Sequence, residues 1–428
     1  MSIMVVASIV DTSIVRLSAF TGGLAPIWNL IAFSILVLIY SVGQYVILNF
    51  IKEKIEISKI KPVNTIHKIV SIIHWIIISM LVIIVLQMIF TSSYALLLLK
   101  LIASISCGLS IVILAFLAKK FFMWFRSSLD IVVISYAIAI LILTVNIFFM
   151  VVYVIDMLNS REDDTRYTQS PVINVTNASN IFNTTYFVSS IFSFILVWVA
   201  TVFLLRYYSK RIGSAKYWIL VSAPLFYFLA QFQVIFFDLF ESFRRSDPAI
   251  FAITFTLLIT MSKPIGGVLF GVAFWVVSRK VGKHAIKDYL LVSGFGMMLL
   301  FASNQATTLI FAPYPPFGLV TTSLIGLSSY LLLVGIYSSA MSISRDTELR
   351  KFINTVTERE IKLLGNIGFA QVEQELVTKI IPLAQLQALK MEQESGVKTS
   401  FTISDLKHYL EEILTEVRNT SQNKESGA

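Results

Sequence analysis

Charge is what this sequence has least of. Only 14% of its 428 residues are Asp, Glu, Lys or Arg, while 56% are hydrophobic. A soluble domain keeps about a quarter of its residues charged because its surface faces water. That surface is missing here, and a mean hydropathy of +0.80 turns most of the exterior toward lipid. Cysteine is almost absent: Cys107 stands alone in an apolar run, which excludes a disulfide framework and a thiolate metal cluster. Four scattered histidines (His67, His74, His284, His408) argue against a histidine-rich metal site. No phosphate-binding glycine loop, zinc-protease helix or nucleophile elbow is present, and no apolar run carries a central aspartate. His408 is followed by nothing like a nucleotide-binding kinase domain. The chain is therefore expected to be no enzyme, with no cofactor and no metal.

What is present is a series of apolar runs, each long enough for the 20 or so helical residues that cross a hydrocarbon core. They lie near 26–50, 67–90, 93–118, 130–157, 187–206, 217–238, 252–278, 289–311 and 318–344. The expected fold is all-α: a polytopic transmembrane bundle of about nine spans over 1–344, with a short helical tail over 345–428. Thr91-Ser92-Ser93 makes a tight turn between the second and third runs, and Pro313-Tyr314-Pro315-Pro316 separates the last two, since consecutive prolines cannot continue a helix. Met1 to Val10 is apolar but lacks a basic start, and Asp11 and Arg16 interrupt the stretch beyond it. It reads as a retained interfacial segment, with a cleaved leader as the alternative.

Lysine and arginine set the orientation. Sixteen of them alternate onto one side, in the segments around Lys52 to Lys68, Lys119 to Arg126, Arg206 to Lys216 and Arg279 to Lys287. The other side has five: Arg16, Arg161, Arg166, Arg244 and Arg245. The basic side is expected to be cytoplasmic, which puts the N-terminus outside and the C-terminus inside a cell membrane. The long loop 158–186 then faces outward, and its three N-x-S/T sequons at Asn174, Asn177 and Asn183 are possible glycosylation sites. Basic loops beside a bilayer attract anionic headgroups, so the positive net charge implies lipid as partner and no nucleic acid.

Beyond Ser344 the character changes. Residues 345–428 hold eleven basic and thirteen acidic side chains. Arg345 to Leu364 reads as a helix continuing from the last span, with Leu349, Phe352, Val356 and Leu363 on one stripe. Ser404 looks like an N-cap for a second stripe of Leu406, Leu410, Ile413 and Val417. Such stripes suit a cytoplasmic protein partner or self-association.

Ionisable groups inside a bilayer are costly and mark candidate sites. Lys100 and Lys263 are the two that stand out. Met261 to Gly267 (Met-Ser-Lys-Pro-Ile-Gly-Gly) is expected to break its helix, because Pro264 removes a donor and Gly266 and Gly267 loosen the next turn. The bland reading of Lys100 and Lys263 is snorkelling to the headgroups; that of Pro264 is a kink, and Gly267 and Gly271 form a G-x-x-x-G packing pair. Asn146, Gln231, Gln233, Asn304 and Gln305 fall at comparable depth, and with the lysines they make an outer-half ligand pocket the site hypothesis.

The strings Asp288-Tyr-Leu-Leu-Val-Ser-Gly-Phe-Gly, Ser303-Asn-Gln-Ala, Pro313-Tyr-Pro-Pro-Phe-Gly and Gly326-Leu-Ser-Ser-Tyr-Leu-Leu-Leu-Val-Gly, with Asp346-Thr-Glu-Leu-Arg, carry a resemblance over roughly 250–380. They resemble the uncharacterised multi-spanning membrane proteins of ammonia-oxidising archaea. The resemblance implies an archaeal cell membrane and no activity. Three functions stay open: a sensor or receptor-like protein whose tail passes a signal to a partner, a transporter or channel with its site at Lys263-Pro264, and a structural subunit of a membrane complex.

Overall fold

The computed structural model describes residues 1–21, 26–58, 61–159, 164–166, 181–206, 213–230, 245–279, 285–305, 314–346 and 362–375, with isolated positions beyond. Eleven helices account for almost all of them: α1 (Ser2–Thr21), α2 (Pro26–Ser58), α3 (Lys61–Thr91), α4 (Leu96–Ser128), α5 (Ile131–Asn159), α6 (Ile181–Leu205), α7 (Ser214–Ala230), α8 (Pro248–Ser278), α9 (Ala285–Ser303), α10 (Leu319–Arg345) and α11 (Lys362–Glu375). The protein is an all-α polytopic bundle. Eight of these helices, α2 to α6 and α8 to α10, are long and apolar enough to cross a membrane. The expected run at 217–238 is described only as far as Ala230, so α7 has 17 residues.

Local signals set the helix ends. Asp130 accepts the backbone N–H of Val132 at 2.7 Å and so starts α5, directly after Leu129 has turned the chain with a φ of 50°. Asp247 caps α8 in the same way through Ile250 N–H, with Pro248 at the first helical position.

The two ends of the bundle are distinguishable. At one, β1 (Ser93–Ala95) pairs antiparallel with β2 (Asp164–Arg166), Tyr94 opposite Thr165, and ties the α3–α4 turn to the loop after α5. We call this the ribbon end. At the other, α11 packs on α10, α4 and α5; we call it the tail end.

At the centre lies α10, buried along nearly its whole length. Its serines and threonines make this possible. Thr322, Ser323, Ser329 and Ser339 each donate to the carbonyl four residues back, so the hydroxyls need no partner from outside. Small side chains also admit close neighbours: Ser106 of α4 donates to the Thr322 carbonyl at 2.9 Å, and Ser110 meets Ser329 at 2.5 Å.

Four expectations are corrected. First, α8 runs unbroken through Pro264. The proline falls mid-helix, where its penalty is largest, and close packing of the turns beyond it holds the helix together. A Cβ on Gly271 would lie 2.5 Å from the Gly294 carbonyl of α9, and one on Gly267 2.9 Å from Phe301 Cβ; Gly266 faces the Phe194 ring. Second, the N-terminal segment is a packed helix of the bundle: Met4, Ser8, Asp11, Thr12 and Val15 are buried against α2, α8, α9 and α10, while Ile3, Val6 and Val10 are exposed. Third, α10 stops at Arg345, where Asp346 is extended, so the last span does not run on into the tail. Leu363 is buried in α11, while Leu349, Phe352, Val356 and the second stripe lie outside the described residues. Fourth, α6 begins at Ile181, so Asn183 is in its first turn rather than in a loop.

Candidate functional site

Both α9 and α10 are inset at the ribbon end. α9 ends at Ser303, and α10 starts at Leu319, about one turn before Thr322, whose carbonyl meets Ser106 ten residues inside α4. The helix ends thus exposed, a carbonyl end and an N–H end, fall within the bundle, where unpaired backbone groups are expensive. Two charged side chains from other helices meet them.

The first is Lys263 of α8. Its ammonium donates to the Asn304 carbonyl at 2.7 Å, just past the end of α9. It also lies 5.5 Å from the centre of the Tyr186 ring and 3.4 Å from the Tyr186 hydroxyl. A cation is favoured at a helix C-terminus and on an aromatic face. Asn304 then donates its side-chain amide to Asn146 Oδ1 at 2.8 Å, and Asn146 donates to Ser189 Oγ at 2.9 Å and to the Tyr186 carbonyl at 3.3 Å. Tyr186 stacks on Tyr153 at 5.8 Å. One polar cluster therefore joins α5, α6, α8 and α9.

The second is Asp11 of α1, fully buried. Its carboxyl oxygens accept Gly318 N–H at 2.8 Å, Thr321 N–H at 2.9 Å and the Thr321 hydroxyl at 2.8 Å. This caps the N-terminus of α10 from another helix, where a negative group is favoured.

Of the residues singled out from the sequence, Lys263, Asn146 and Asn304 come together. Gln305 is buried beside them but donates back to the Ala302 carbonyl at 3.2 Å. Lys100 is half-buried on α4 and takes no part in the cluster. Gln231 and Gln233 lie outside the described residues, as do Asn174 and Asn177. Asn183 has its side-chain oxygen buried without a hydrogen bond. Tyr186, Ser189 and Asp11 were not among the candidates. Asp11 carries the signal used for the lysines, a charge within an apolar stretch, whereas a tyrosine and a serine in a span are too ordinary to mark a site.

Capacity remains in the cluster. The Thr260 hydroxyl one turn before Lys263, the Ser303 hydroxyl and the Asn304 side-chain oxygen are buried and make no hydrogen bond. Buried polar groups are rarely left so, and such a set accommodates water or a small polar guest. Among the described residues no group of three or more His, Cys, Asp or Glu is placed to hold a metal ion.

No protein-family model, curated protein or solved structure matches the chain.

Proposed function

We propose that the protein is a receptor-like sensor of the cell membrane, which couples the polar cluster at its ribbon end to the helix docked at its tail end. The observation that carries this reading is α10. It is buried along nearly its whole length, capped by Asp11 at one end and covered at the other by α11, where the Trp124 indole donates to Gln371 Oε1 at 3.0 Å and Gly368 sits directly on Ile343. A rigid, fully packed helix with separate contacts at its two ends transmits a shift at one to the other, because packed interfaces switch rather than deform. The basic loops support a reading with the tail end in the cytoplasm and the ribbon end outside. The tail beyond Glu375 would then meet a cytoplasmic protein or a second copy of the chain.

Deuterium exchange on the full-length protein in nanodiscs tests the coupling. Lys263→Met removes the α9 cap without touching the tail end, and the reading expects faster exchange over 362–375 as well as around Asn304. Changed exchange around Asn304 with none over 362–375 would overturn it.

A second reading, transport, draws on the three unpartnered groups at Thr260, Ser303 and Asn304, which would suit a transient polar passenger. Uptake of chloride or phosphate into liposomes, lost in Lys263→Met, would favour it over the first.

A further inference from the structure

A cleft of about 80 Å³ lies between α2 and α3 in the half of the bundle nearer the tail end. One stripe of each helix lines it: Gln44, Leu48 and Lys52 on α2, His67, Ser71 and Trp75 on α3. Both stripes follow the i, i+4, i+8 spacing of a single helix face. We propose that this cleft holds the head and glycerol region of one anionic phospholipid.

Three observations lead there. The cleft is lined by the rings of Tyr45 and Trp75, which meet edge-on at 6.5 Å and lie beside exposed Val46, Ile72 and Ile76, an apolar surface suited to lipid. A lipid reaches such a place from the side. Next, the cleft is graded along its length. Lys52 stands exposed at the rim, Asn49 and Ser71 lie below it, and Gln44 closes the inner end about 12 Å deeper along the helix axis. A phosphate above, linked to glycerol oxygens below, follows the same gradient. Finally, Gln44 is buried and its side-chain oxygen has no hydrogen-bond partner. Burying an amide without a partner is costly. A headgroup or glycerol hydroxyl satisfies it, and a half-turn of the amide offers its NH₂ to an ester or ether oxygen instead.

The preference for an anionic head comes from charge. The segment 51–68 carries Lys52, Lys54, Lys59, Lys61 and Lys68 against Glu53 and Glu56. Of these, Lys52 is the lysine that lines the cleft. The site also touches the centre of the molecule: His67 bonds through Nδ1 to the Tyr330 hydroxyl of α10 at 2.7 Å.

Native mass spectrometry of the purified full-length protein tests this, with phosphatidylglycerol, phosphatidylcholine and inorganic phosphate as probes. The expected result is one phosphatidylglycerol retained per chain, with occupancy about fivefold lower in Lys52→Met and similarly reduced in Gln44→Leu. Lys119→Met, which removes an exposed charge from the same end on α4, should leave retention unchanged. Equal retention in Lys52→Met and Gln44→Leu overturns the proposal. So does equal loss in Lys119→Met, which would mean diffuse attraction. Equal binding of phosphatidylcholine would mean an apolar groove without anion recognition, and displacement by inorganic phosphate a site for small anions; each overturns it too.

Discussion

Asp11 and Lys263 each complete a helix to which they do not belong. Asp11 supplies acceptors to the N–H end of α10, and Lys263 supplies a donor to the carbonyl end of α9. The two contributions differ in how they can be replaced. Asp11→Asn keeps an acceptor oxygen and should retain most of the cap. Asp11→Ala leaves two buried N–H groups unpaired, while the Thr321 hydroxyl keeps the Ser8 carbonyl at 3.1 Å, and should cost about the 1–2 kcal/mol typical of a lost cap. Thermal unfolding of the purified variants in one detergent checks the order: wild type, then Asn, then Ala. Asn146→Leu breaks the links to Asn304 and Ser189 at once, with an expected cost of roughly 1–2 kcal/mol. Combined with Lys263→Met it should fall short of additivity, because both act on Asn304. Lys263 and the amides were legible in the sequence because charge and amides in apolar runs are rare. Their roles were not. The partner of Lys263 is a backbone carbonyl, freed only because α9 ends where it does, and a carbonyl leaves no mark on the sequence. Asp11 was visible as an interruption of an apolar stretch, but its partners lie more than 300 residues away.

At the level of elements, α8 and α9 approach each other closely through glycine. Gly271 and Gly294 face each other, each near enough that a Cβ would strike the other's carbonyl. Gly271→Ala should force the helices apart and cost about 1–3 kcal/mol. Gly108 on α4 has open space where a Cβ would be. Gly108→Ala is therefore expected to be neutral or stabilising by up to about 1 kcal/mol, through helix propensity alone. The pair of thermal midpoints distinguishes packing from propensity in one experiment. Most helices were legible from length and apolar character, and the G-x-x-x-G spacing of Gly267 and Gly271 points to a packed face. The continuity of α8 was not legible. Proline's penalty is local, and whether a helix absorbs it depends on neighbours such as Phe194, Phe301 and Met298 that only the tertiary arrangement brings close. The end of α10 at Arg345 escaped notice for a related reason, since Arg345 to Leu364 has a helical stripe whether or not the backbone follows it.

For the molecule as a whole, the alternation of basic and non-basic loops makes a directional statement. Ser92 is exposed at the ribbon end and Ser214 at the start of α7, on the side the basic loops occupy. In intact cells Ser92→Cys should react with a membrane-impermeant maleimide, and Ser214→Cys only after permeabilisation. The native Cys107 is fully buried and should stay silent in both. Reversed labelling would invert the assignment of the two faces. The contact between Asp11 and Thr321 has a consequence in time as well. The partners are 310 residues apart, so a ribosome working at about 5–20 residues per second makes α1 some 15–60 s before the helix it caps. Through that interval the nascent chain carries a carboxyl group in an apolar helix with nothing to accept from. An insertion factor, a neighbouring headgroup or water at the bilayer edge must shelter it until α10 arrives. Biogenesis of this protein is therefore open to failure at its last step, and a ribosome stalled before Gly318 would leave a nearly finished bundle still waiting for its centre.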